Sequence, residues 1–107
     1  MAVTVERDSS GLCRIHVIGE MTIYTALELK GELLTPMAQG DAIEINLAAV
    51  SEIDAAGLQL LVLAKTEAQA QNKTLSLTDH SPAVLNMLEL CDLEGFFGDT
   101  VLIHATE

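Results

Sequence analysis

Between a strand-like apolar run and a helix-like apolar run stand an aspartate, two alanines and a glycine, Asp54-Ala55-Ala56-Gly57, and this junction is the part of the chain best set up for chemistry. An aspartate just ahead of a helix accepts hydrogen bonds from the unpaired amides of the first turn and complements the positive end of the helix dipole. The same helix start readily holds a phosphate carried on a neighbouring hydroxyl. Ala55 and Ala56 have no hydroxyl. The setting for a covalent regulatory mark is therefore present without the oxygen that would accept one. Asp54 has two compatible readings, a helix cap and a contact for a partner. Gly57 reads as a close backbone approach or a sharp strand-to-helix turn, because neither a Gly-rich loop nor a P-loop lysine accompanies it.

The other reactive side chains do not assemble. Cys13 and His16 have a Cys-x-x-His spacing, but residues three apart on a strand face opposite sides and cannot share a metal. Asp79-His80-Ser81 contains the residue types of a hydrolytic triad, yet neighbours on an extended loop do not converge as a triad must. His104 lies near the terminus. No nucleophile–base pair, metal cluster or phosphate loop occurs in a credible context, so the residues point away from an enzyme and call for no cofactor and no metal.

Composition narrows the partners. The chain has 107 residues, half of them hydrophobic, which suits one domain spanning 1–107 with a single core. Sixteen acidic residues against five basic ones give a formal charge of -11, which opposes binding to nucleic acid and to anionic membrane surfaces. The two cysteines, Cys13 and Cys91, are too few and too far apart for a disulfide framework and fit a reducing cytoplasm. No secretory signal pattern opens the chain, and no apolar run approaches the ~20 residues that span a bilayer, so membrane contact is expected only through a partner.

Several elements must position the junction. Val3 to Glu6 alternates, Ser9-Ser10-Gly11 turns the chain, and Leu12 to Ile18 forms a second strand with Cys13, Ile15 and Val17 on one face and Arg14 and His16 on the other. A first helix starts at Thr22 or Tyr24 and carries Ala26, Leu29, Leu33 and Met37 at helical spacing, with Pro36 expected to kink or end it. A third strand sets Ile43, Ile45 and Leu47 against Glu44 and Asn46. The second helix runs from Asp54 to about Gln71-Asn72, and a fourth strand alternates Leu75 and Leu77 with Thr74, Ser76 and Thr78. Pro82 suits the first turn of a third helix ending near Cys91, and a last strand is expected at Val101-Leu102-Ile103. Strands alternating with helices imply a mostly parallel sheet, and alternation within each strand implies that helices cover one face only. The expected architecture is a two-layer α/β sandwich.

The second helix has more apolar surface than one core stripe needs. At ~100° per residue, Leu60, Leu61, Ala64 and Ala68 point inward together, while Leu58 and Val62 fall to one side. Either the first helix covers them or they form a protein-binding patch beside Asp54.

These residues resemble the STAS domain family, named for sulfate transporters and anti-sigma factor antagonists. The resemblance runs from about Leu12 to Phe97. It rests on Gly19-Glu20 with Thr25-Ala26 and Leu29-Lys30, on Ile53-Asp54-Ala55-Ala56-Gly57-Leu58, and on Ser81-Pro82-Ala83-Val84 with Leu88 and Leu93. It implies the same two-layer fold and a role in protein recognition. In antagonists of this family the residue after the motif aspartate is a serine or threonine phosphorylated by a partner kinase; here that position is Ala55, so the switch is expected to be lost. Thr22 stands where such members often have an aspartate. The run through Thr22, Tyr24 and Ala26 is more similar to small STAS proteins of bacterial chemotaxis clusters. The resemblance, together with the apolar patch of Leu58 and Val62, implies a partner-binding surface at Thr22, Tyr24, Asp54, Ala55, Ala56, Gly57, Leu58 and Val62, and the resemblance implies as partner a histidine-kinase-like ATPase, an anti-sigma factor or a chemotaxis component. Similar subunits support the ATPase of phospholipid-transporting ABC complexes, which is the main alternative; a small-ligand sensor is another. Whether the domain self-associates is left open.

Overall fold

The computed structural model describes residues 1–91. Its elements are β1 (Ala2–Arg7), β2 (Leu12–Met21), α1 (Ala26–Met37), β3 (Ala42–Ile53), α2 (Ala55–Ala70), β4 (Thr74–Thr78) and α3 (Pro82–Leu90). The four strands form one sheet in the order β1-β2-β3-β4, with β1 antiparallel to β2 and both later pairs parallel. The last strand expected, at Val101–Ile103, lies outside the described residues.

Alternation decides the two faces. Cys13, Ile15, Val17, Ile43, Ile45, Leu47, Leu75 and Leu77 are buried in one core with Leu29 and Leu33 of α1, Leu61, Ala64 and Ala68 of α2, and Val84 and Leu88 of α3. The opposite face carries Arg14, His16, Glu44, Asn46, Ser76 and Thr78, none of them buried. An ion pair, Arg14 to Glu44 at 3.0 Å, and a hydrogen bond between His16 and Glu6 at 3.4 Å cross it. Such surface pairs add little stability. Among the described residues the sheet is thus covered on one side only, as its strand patterns require.

Local chemistry sets the ends of the elements. Proline fits the first turn of α3, and Ser81 Oγ caps that helix by accepting from the Val84 amide at 3.3 Å. Helix α1 ends one residue after Pro36, and the Met37 carbonyl accepts from Lys73 Nζ at 2.7 Å as well as from the Gly40 amide, placing a cation at the negative end of the helix.

Three boundaries differ from the sequence pattern. Helix α1 starts at Ala26 instead of Thr22 or Tyr24, because Thr25 Oγ1 ties the preceding residues into a turn. Strand β2 continues past Ile18 to Met21. Strand β3 runs on to Ile53, and its register with β2 shifts between His16 and Ile18 and again between Gly19 and Glu20. These bulges place an extra residue in β3 each time. Asn46 satisfies the first, its Oδ1 accepting from the Ala48 amide at 3.0 Å while its Nδ2 donates to Asp79 at 2.8 Å.

Candidate functional site

Asp54 ends β3 in an extended conformation and begins α2. Its Oδ1 accepts from the Gly57 amide at 3.0 Å, which is the expected cap. Its Oδ2 accepts from the Ile23 amide, also at 3.0 Å. One carboxylate therefore joins the α2 start to the β2–α1 loop. These amides, Ile23 first and Gly57 second, hold the carboxyl below its ordinary value, since both bonds favour the ionised form.

The joint is tight. The Asp54 amide donates to the Met21 carbonyl at 3.2 Å, and a Cβ built on Gly57 would collide with that same carbonyl. Glycine is needed here for close approach, whatever its backbone angles. Thr25 Oγ1 accepts from the Thr22 amide at 3.0 Å and lies 3.0 Å from the Glu20 carbonyl, so the loop is braced from within as well.

This bracing holds an apolar ridge outward. Ile23 is 68% exposed, Tyr24 93% and Leu27 87%. Ala55 is exposed on the first turn of α2, and Ala56 and Asp54 are half-buried beside it. Exposed Glu20 and Glu52 pair near the ends of β2 and β3 that lead into this joint, and exposed Glu28 follows Leu27 on α1. Exposed apolar side chains and exposed acidic ones are thus neighbours in this part of the fold.

Part of the expected surface is instead core. Leu58 is 3% exposed and Gly57 is buried, while Val62 packs against the core from a half-buried position. Helix α1 also packs against α2. Leu58 therefore cannot offer its side chain to a partner or line a ligand patch. Thr22 is also buried, and among the described residues its hydroxyl has no hydrogen-bond partner. Ile23 and Leu27, which sequence reasoning missed, take the outward places. Ile23 is apolar in a run that read as helix-forming, and only the turn at Thr25 turns it out.

The remaining candidates stay apart. Cys13 is fully buried on the helix side and His16 faces the other way toward Glu6. Asp79 is engaged by Asn46 and Ser81 by α3, with His80 buried between them in sequence. Among the described residues no group of three or more His, Cys, Asp or Glu side chains could hold a metal ion. No helix among them is long and apolar enough to cross a membrane.

Comparison with known proteins agrees with this fold. Unphosphorylated SpoIIAA, an anti-sigma factor antagonist, superposes with a TM-score of 0.72 at 22% identity, covering 88% of this chain and 84% of its own. An anti-sigma factor antagonist from Mycobacterium paratuberculosis gives 0.75 at 24% identity, covering 90% and 83%. A sulfate transporter family protein from Wolinella succinogenes gives 0.72 at 19% identity, covering 87% and 76%. No curated protein matches the sequence. The family model described as "Mlab, STAS domain" matches residues 5–103. With nearly its whole length matched, the chain belongs to the STAS domain family.

Proposed function

We propose that this chain is a non-enzymatic recognition module that binds a partner protein through the start of α2 and the β2–α1 loop, and that no phosphate switches it there. The observation carrying this reading is the ridge of Ile23, Tyr24 and Leu27, held beside Ala55 by the two bonds of Asp54. Exposing three large apolar side chains together costs solubility unless something covers them. The acidic surround favours a partner with a basic rim, since complementary charge speeds docking and fixes its register. A histidine-kinase-like ATPase, an anti-sigma factor or a chemotaxis component fits that description, in a cytoplasmic setting.

The match to the "Mlab, STAS domain" model favours a second reading, an accessory subunit of an ABC phospholipid transporter. Affinity capture from the native cell separates the two. A signalling antagonist should bring down a soluble kinase or anti-sigma protein, and a transporter subunit a membrane ATPase. Ala55→Glu should remain folded, because an acidic residue suits a first helical turn, yet lose the captured partner. A glutamate variant that binds as tightly as the parent would take the α2 start out of the interface.

A further inference from the structure

Among the described residues the outer edge of β1 is uncovered. Among the described residues no strand pairs with it, so its outward amides and carbonyls are open to another strand. Sheet edges are normally blunted by charge, proline or a bulge, and Ala2 to Val5 has none of these. Its pairing with β2 runs without interruption from Ala2–Ile18 to Arg7–Cys13.

The helix-side face of this edge is also incompletely covered. Val3, Val5 and Arg7 share the side of Val17, Ile15 and Cys13, but Val5 remains 37% exposed. Between them and Gly31, Glu32 and Thr35 of α1 lies an open groove of about 440 Å³. Gly31 adds room, since nothing stands within 4 Å of a Cβ built there. Arg7 and Glu32 are the charged residues of the groove and are opposite in sign, so this wall is locally neutral on a strongly acidic chain.

We propose that β1 is the contact between two copies of this chain, pairing antiparallel with itself about Thr4. A two-fold axis normal to the sheet keeps the helices of both copies on one side and requires each residue to face one of the same orientation. Val3-Thr4-Val5 satisfies this, because it reads the same in both directions. Val3 then meets Val5 of the other copy, Thr4 meets Thr4, and Glu6 meets Ala2 instead of another glutamate. Threonine pairs and β-branched pairs are favourable across strands, and like charges directly opposed are not. Neutrality in the groove and self-matching in the strand together select a second copy over an unrelated segment. Each copy carries -11, so added salt should strengthen the association.

The test is sedimentation or light scattering of the full chain over a concentration series, at low and high salt. Reversible dimerisation, tighter in high salt, is expected. Val5→Lys should weaken it by about tenfold or more, because a charge would enter the seam. Thermal unfolding checks that this variant folds. A second readout needs no change in the seam's apolar side. With Cys91→Ser removing the exposed thiol, Thr4→Cys should form an intermolecular disulfide under mild oxidation. Glu6→Cys should not, because in this register the two thiols are separated by about 13 Å along the strands. A monomer at every concentration and salt overturns the proposal, even if some other protein occupies the edge. So does a dimer indifferent to Val5→Lys, or one in which Glu6→Cys cross-links as fast as Thr4→Cys.

Discussion

The Ile23 amide donates to Asp54 Oδ2 at 3.0 Å across 31 residues of sequence, so the residue that caps α2 also fixes the loop ahead of α1. Asp54→Ala should therefore lose both helix capping and loop order, lowering the melting temperature and speeding hydrogen exchange at Ile23. Asp54→Asn keeps one acceptor and should fall between. The charge adds a pH signature. The Asp54 carboxyl lies below its ordinary 3.8 when folded, so its contribution is present above that value and is lost as pH falls through the folded one. The gap between the parent and Asp54→Ala should accordingly narrow on acidification, as followed by thermal melts down the acid limb. A constant gap would mean that the ionised carboxylate is not the stabilising form.

Two helical glycines should respond in opposite ways to the same change. Gly57→Ala drives a methyl into the Met21 carbonyl, which no side-chain rotation can relieve. A net loss of roughly 1–3 kcal/mol is expected in denaturant melts, despite the better helix propensity of alanine. Gly31 faces open space, so Gly31→Ala should gain about 1 kcal/mol. Dilute protein should be used, so that self-association does not enter the comparison.

Tyr24→Ala and Leu27→Ala should separate stability from binding. Both side chains are almost fully exposed, so unfolding should shift by no more than ~0.5 kcal/mol. Affinity for the captured partner, measured by calorimetry, should drop clearly for each. Unchanged affinity in both would remove the ridge from the interface.

Incubation with a STAS-type kinase and ATP should add no phosphate between Ser51 and Thr66, since Ala55 and Ala56 offer no acceptor. Peptide mass analysis reads this directly. Ala55→Ser should keep the fold and bind normally, and its phosphorylation would show that kinase recognition survives the other departures, Thr22 among them. Stoichiometric modification of the parent in this window would mean the switch is not lost.

The layers of this fold were legible wherever the period was regular. Ile15, Ile43, Ile45, Leu75 and Leu77 alternate with polar residues and are buried as their spacing demands. Beyond Leu47 the inward residues of β3 are Val50 and Ile53, three apart, and no strand period picks them out. The Asp54 cap was equally legible, since a cap is a local matter. Its bond to Ile23 was not, because it depends on two distant segments being brought together by the sheet. Leu58 shows the same limit from the other side: its helical angle is correct, but burial is decided by the packing of distant elements, which the wheel does not contain.

The two extra residues of β3 mean that length variation in such a chain need not be confined to its loops. Excising Ala48 or Ser51 would straighten one bulge while preserving the pairing of Leu12 with Ala42 at one end and of Met21 with Ile53 at the other. The core would keep its partners. What would change is the local twist of the strand, and with it the direction from which Asp54 reaches Ile23. Evolution thus has a means of re-aiming the joint between Asp54 and Ile23 by single-residue insertions and deletions inside a strand, with the packed interior left as it is.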